Sequence, residues 1–76
     1  MTKRKLPRIT GKEVIKILKK AGFSVVRVKG SHHFLQHEDG RCTVVPMHSG
    51  EVIGPGLIHK ILSDVDMSIE SFSAFL

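Results

Sequence analysis

SVVRVKGSHHFLQHEDGRCTVVPM, residues 24–47, is the stretch that decides the fold. Three runs rich in β-branched or alternating residues are separated by two turn signals, which predicts an antiparallel meander. The runs are Ser24 to Lys29, His32 to His37 and Arg41 to Met47. Gly30-Ser31 is a two-residue turn between the first pair. Asp39-Gly40 has the composition of a type I′ turn between the second pair. These turns place Lys29 opposite His32, Arg27 opposite Phe34 and Val26 opposite Leu35. They also place Leu35 opposite Val44 and Phe34 opposite Val45. Strand alternation then gathers Val26, Val28, His33, Leu35 and Val44 on one face, expected to pack on helices. Arg27, Lys29, His32, Phe34 and Val45 fall on the other, open face.

Outward from the meander, both flanks carry helix signals. Upstream, Thr10 is an N-cap with Glu13 three residues on, a capping box, and Ile9 and Val14 have the spacing of a hydrophobic staple. Val14, Ile17, Leu18 and Ala21 form an apolar stripe, Lys12, Lys16, Lys19 and Lys20 form a cationic face, and Gly22 ends the helix. Downstream, Pro46 and the stretch from His48 to Gly54 stop the sheet. Pro55 suits the first turn of a second helix, which buries Leu57, Ile58, Ile61, Leu62 and Val65. Ser68 caps a short third helix whose Ile69, Phe72 and Leu76 share a side. The expected fold is therefore α+β, an α-β-β-β-α order with a three-stranded antiparallel sheet and helices on one face.

Seventy-six residues suffice for one domain near the lower size limit for a single apolar core. Residues 1–8 read as a basic N-terminal arm, in which Pro7 opposes helix, and residues 9–76 read as the domain. The lone Cys42 excludes an internal disulfide and fits a reducing compartment. No apolar run approaches the roughly 20 residues of a membrane span, and the basic start lacks a signal-peptide core. These features predict a cytoplasmic location. Charge is unevenly spread. Residues 1–37 hold ten Lys/Arg against the single acid Glu13, a net +9, whereas residues 38–76 hold two against six acids, a net −4. A polyanion partner for the first half is one reading, and a solvated arm and helix face the other.

Gly30-Ser31-His32-His33 is the most distinctive tetrapeptide. A neutral imidazole, with an ordinary pKa of about 6.5, can take the proton from a ribose 2′-hydroxyl. That hydroxyl attacks the adjacent phosphate, while nearby cations such as Arg27 and Lys29 stabilise the charge that develops. The route requires RNA and yields a 2′,3′-cyclic phosphate and a free 5′-hydroxyl. His32 also fits a simpler part as a polar residue near a turn. A metal site is disfavoured: His33 and His37 are four strand residues apart, about 13 Å at ~3.3 Å per residue, and no Cys pair or carboxylate cluster supports one. No cofactor is expected. Lys12, Lys16, Lys19 and Lys20 could follow an RNA backbone or simply face water. With no Trp or Tyr, stacking platforms are sparse, and Phe34 is the one open-face candidate.

Four segments carry a resemblance to a known family: Gly11 to Phe23, Lys29 to Phe34, Thr43 to His48 and Ile53 to Leu62. Together they span about residues 7–72, and the chain resembles the HicA family of toxin–antitoxin ribonucleases. The resemblance implies a fold similar to a double-stranded RNA-binding domain, metal-independent cleavage of messenger RNA, growth arrest and neutralisation by a HicB-type antitoxin. It makes His32, the first histidine after Gly-Ser, the catalytic residue, with Gly30 and Ser31 as its supporting turn. It assigns no role to His48, and the arm before Pro7 is longer than in compact members. The competing readings are a non-catalytic RNA-binding module of the same fold and a protein-interaction domain for an antitoxin-like partner. The first lacks support from a lysine cluster at the start of the last long helix, where Lys60 stands almost alone.

Overall fold

A computed structural model describes residues 8–76, so the expected basic arm, Arg8 apart, lies outside the described residues. Helix α1 (Gly11–Lys20) begins with the expected capping box. The Glu13 amide donates to the Thr10 hydroxyl at 3.3 Å, and the Thr10 amide donates back to Glu13 Oε1 at 3.0 Å. The Thr10 amide, followed by the Thr10 hydroxyl, donates to the Glu13 carboxylate and holds that carboxyl below the usual range. Ile9 and Val14 on either side of the cap are buried, as the staple requires. At the other end Phe23 N–H donates to Leu18 O and Gly22 N–H to Lys19 O, the double bond pattern of a Schellman stop.

The sheet is a meander of β1 (Ser24–Lys29), β2 (His32–Gln36) and β3 (Cys42–Pro46), in spatial order β1-β2-β3 and antiparallel throughout. Helices α2 (Pro55–Asp64) and α3 (Ile69–Ser73) follow, with Ser68 capping α3 and Phe72 fully buried. The α+β, α-β-β-β-α order is thus the one the sequence predicts. One core joins Val14, Ile17 and Leu18 of α1, Leu35 and Val45 of the sheet, and Ile58, Ile61 and Leu62 of α2.

Register departs from expectation in two places. The second hairpin turns on three residues rather than two. His37 N–H donates to Arg41 O at 2.8 Å and Gly40 N–H to His37 O at 3.0 Å, leaving Glu38-Asp39-Gly40 as the loop. A type I′ turn needs positive φ at both central residues, but only Gly40 has it, at 97°. This is the longer turn closed by a left-handed glycine, and it shifts β3 by one residue. Leu35 consequently faces Thr43, Phe34 faces Val44 and His33 faces Val45. Val45, not Val44, is the core residue, because a single-residue slip reverses every side chain of a strand.

The second departure is a bulge in β1. Val25 pairs with Leu35 and Arg27 with Phe34, so Val26 is the extra residue. Val25 takes the inward place expected for Val26, which is 59% exposed. Val28 pairs with His33 as its inward neighbour, yet is 55% exposed and belongs to no core cluster.

Candidate functional site

The β1–β2 turn delivers two adjacent imidazoles to opposite sides of the sheet. Gly30 has φ 60°, a left-handed value that strains a residue with a Cβ, and this closes the two-residue turn. Lys29 then pairs with His32 and Val28 with His33. On the open side His32 is exposed, with Lys29 and Pro46 as cross-strand partners. Arg27 stands next along that face, its guanidinium carbon 5.7 Å from the centroid of the Phe34 ring. The expected group of His32, Arg27, Lys29 and Phe34 is therefore assembled on one face.

His33 turns the other way, toward α1, and is half-buried. Its Nδ1 lies 3.2 Å from the Ser31 carbonyl oxygen, which also accepts the Met47 amide at 2.8 Å. A carbonyl oxygen can only accept, so this hydrogen bond requires the proton on Nδ1. In the neutral ring Nε2 is then the free, basic nitrogen. His33 lines a groove of about 450 Å3 with Lys12, Lys16, Lys19, Val25 and Met47. Lys20 is absent from that groove and lines a smaller cleft with Glu13 and Phe75. The expected cations thus divide: Arg27 and Lys29 accompany His32, whereas Lys12, Lys16 and Lys19 accompany His33. Sequence reading missed this second group because it arises from packing α1 against the sheet, which no local pattern encodes.

A second hollow of about 370 Å3 adjoins the first and shares Lys12 and Met47 with it. His48 and Ser49 also line it. The intervening chain is tied on both sides, by Met47 N–H to Ser31 O and by Ile53 N–H to Ile9 O, each at 2.8 Å. Gly11 fits flat beneath it, where an added Cβ would collide with the Pro46 carbonyl.

His37 serves the fold. Its Nδ1 accepts the Asp39 amide at 3.1 Å, and its ring meets Phe23 edge-on at a centroid distance of 5.2 Å. An Nδ1 that accepts this bond carries no proton, so the nearby Asp39 carboxylate makes no ion pair with it in that state. Arg41 supplies the ion pair instead, and its backbone amide is foremost in keeping the Asp39 carboxyl below its ordinary range. Among the described residues no three His, Cys, Asp or Glu side chains cluster as metal ligands, and no helix is long and apolar enough to cross a membrane. Cys42 is exposed on β3.

No curated protein matches the chain. A family model does: the one described as HicA toxin of bacterial toxin-antitoxin aligns with residues 11–67, from the first turn of α1 to just beyond α2. That stretch contains the sheet, His32, His33 and the cations beside each of them, and the chain belongs to the HicA toxin family.

Proposed function

We propose that this toxin is an endoribonuclease that cleaves messenger RNA by metal-independent acid–base chemistry, acting in the cytoplasm. Its antitoxin would be of the HicB type. The observation that carries the reading is the turn at Gly30-Ser31, which presents an imidazole to a cationic surface on each side of the sheet. A neutral imidazole takes the 2′-hydroxyl proton, the oxygen attacks phosphorus, and lysine or arginine stabilises the pentacoordinate charge. The motif assigns the base to His32, with Arg27 and Lys29 beside it. A specific observation favours His33 as a second reading. Its ring is fixed by Ser31, its Nε2 is the free nitrogen, and three lysines line its groove. Lys12, Lys16 and Lys19 then carry the RNA backbone, with Lys20 at the margin.

End-labelled RNA incubated in excess EDTA with wild type, His32→Ala and His33→Ala tests this. Cleavage leaving cyclic phosphate ends is expected from wild type, with a loss of about 10²–10⁴-fold in the variant that lacks the base. Intact RNA in the presence of folded, antitoxin-free wild type would overturn the enzyme reading in favour of RNA binding alone. Equal cleavage by all three proteins would remove both histidines from the mechanism.

A further inference from the structure

The peptide plane between Ser31 and His32 is held from two directions. Its oxygen accepts the Met47 amide at 2.8 Å, a tie to the chain just beyond β3. The same oxygen accepts Nδ1–H of His33 at 3.2 Å, a tie to the inner side of β2. The His32 nitrogen belongs to that plane, because a peptide unit does not rotate freely about its C–N bond. Holding the carbonyl therefore sets the direction in which the His32 Cα–Cβ bond leaves the open face. His32 is exposed, so its placement depends on the backbone beneath it. The residue before Ser31 gives little help: Gly30 takes φ 60°, and no atom lies within 4 Å of where its Cβ would stand. The His33 ring is half-buried in the groove it shares with Ile15, Val25 and Met47, which restricts this donor more than an exposed side chain would be.

We infer that His33 is a positioning residue of this toxin, which holds His32 in place for the 2′-hydroxyl by donating Nδ1–H to the Ser31 carbonyl. The inference rests on the ribonuclease reading with His32 as base, and it excludes a base role for His33. The Nδ1 proton stays where it is throughout, so no bond to His33 forms or breaks in the reaction. The adjacent histidines thus divide the work across the sheet, one meeting the substrate and the other steadying the peptide plane between them. A base displaced by ~1 Å loses on the order of 10²-fold in rate. Removing one of the two anchors on the carbonyl leaves the Met47 tie, so the loss reaches that figure at most.

The test compares antitoxin-free wild type with His33→Leu, His33→Asn and His32→Ala on one RNA, across pH, at a temperature where each is folded. Leucine fills the groove but donates nothing. Asparagine offers Nδ2–H to the Ser31 oxygen, from an atom bonded to Cγ as Nδ1 is. His33→Leu is expected to lower kcat about 10–10²-fold with KM within a few-fold of wild type, and to keep the rise of rate with pH that a titrating base gives. His33→Asn is expected to return kcat to within a few-fold of wild type. A lower melting temperature for His33→Leu with unchanged kcat marks a contact that only stabilises the fold, and overturns the inference. Equal slowing of the leucine and asparagine variants overturns it too, as does a raised KM at unchanged kcat, which would give His33 a part in holding RNA. If both His33 variants lose the pH-dependent rise and His32→Ala keeps it, His33 is the base, and the inference falls while the ribonuclease reading stands. A second measurement needs no variant. Long-range proton–nitrogen NMR of the wild type should find the neutral His33 ring protonated on Nδ1, and a proton on Nε2 alone would leave Ser31 without this donor and sink the inference. Intact RNA with folded wild type removes the ribonuclease reading and the inference together.

Discussion

The two faces of β2 carry consecutive residues to different fates. Inward, Leu35 is fully buried and His33 looks toward α1, whereas outward, His32, Phe34 and Gln36 have no helix over them among the described residues. The pleat alone separates the sets, since neighbouring side chains on a strand point to opposite sides. Adjacent histidines in one motif are therefore not interchangeable. One is oriented by a backbone carbonyl in a lysine-lined groove, and the other is free in solvent beside an arginine and a lysine.

Truncating each face measures how far they differ. Leu35→Ala is expected to cost about 2–5 kcal/mol in chemical denaturation, because it leaves a void among α1, α2 and the sheet. Phe34→Ala on the open face should cost less than half as much, since half-exposed packing and a surface cation–π contact with Arg27 are all it removes. Similar costs for the two would mean that the open face is covered.

Gly40→Ala comes next in size, at about 1–2 kcal/mol by thermal or chemical unfolding. Its φ of 97° is strained for alanine, and the three-residue loop sets which valine of β3 faces inward. An unchanged stability would indicate that the loop had relaxed to another turn. Thr43→Val probes a buried polar side chain of the inner face. Its hydroxyl donates to Asp64 Oδ2 at 2.9 Å, and the loss should be about 0.5–1.5 kcal/mol.

The smallest effect is one of pH. The Lys60 ammonium, followed by the Thr43 hydroxyl, holds the Asp64 carboxyl below its ordinary range. A depressed carboxyl stabilises the fold above the usual aspartate value of about 3.9, and that contribution is lost as pH falls through the lower folded value. Asp64→Asn should therefore flatten the acid limb of stability against pH while leaving the neutral-to-alkaline limb parallel to wild type. Acid limbs that superimpose after normalisation would show that the pair contributes nothing.

Much of the scaffold was legible because its signals are local. Thr10 with Glu13, Ile9 with Val14, Gly30-Ser31 and Ser68 each specify a cap or turn within a few residues, and each sits where expected. The second hairpin was misread because Asp-Gly serves two turn types, distinguished only by whether the residue before glycine also takes positive φ. The bulge at Val26 left no mark in a valine-rich run. Of the site, the motif and its cations were visible as residue types. Their division into two surfaces was not, because it depends on which side of the sheet α1 covers and on where the Met47–Gly50 segment is pinned. His48 could be seen only as the end of the Thr43 to His48 segment, without a role.

The extra residue in β1 also bears on how the toxin survives in a crowded solution. Among the described residues β1 has a single neighbouring strand, so its other edge offers open amides and carbonyls beside exposed Val26 and Val28. Such an edge is a template for uncontrolled strand addition. The bulge breaks its regular spacing, and Arg27 and Lys29 charge the same strand, so a second copy meets both a mismatched ladder and like-charge repulsion. Deleting Val26 would restore the ladder and leave the charges of Arg27 and Lys29 as the barrier to pairing with a second copy.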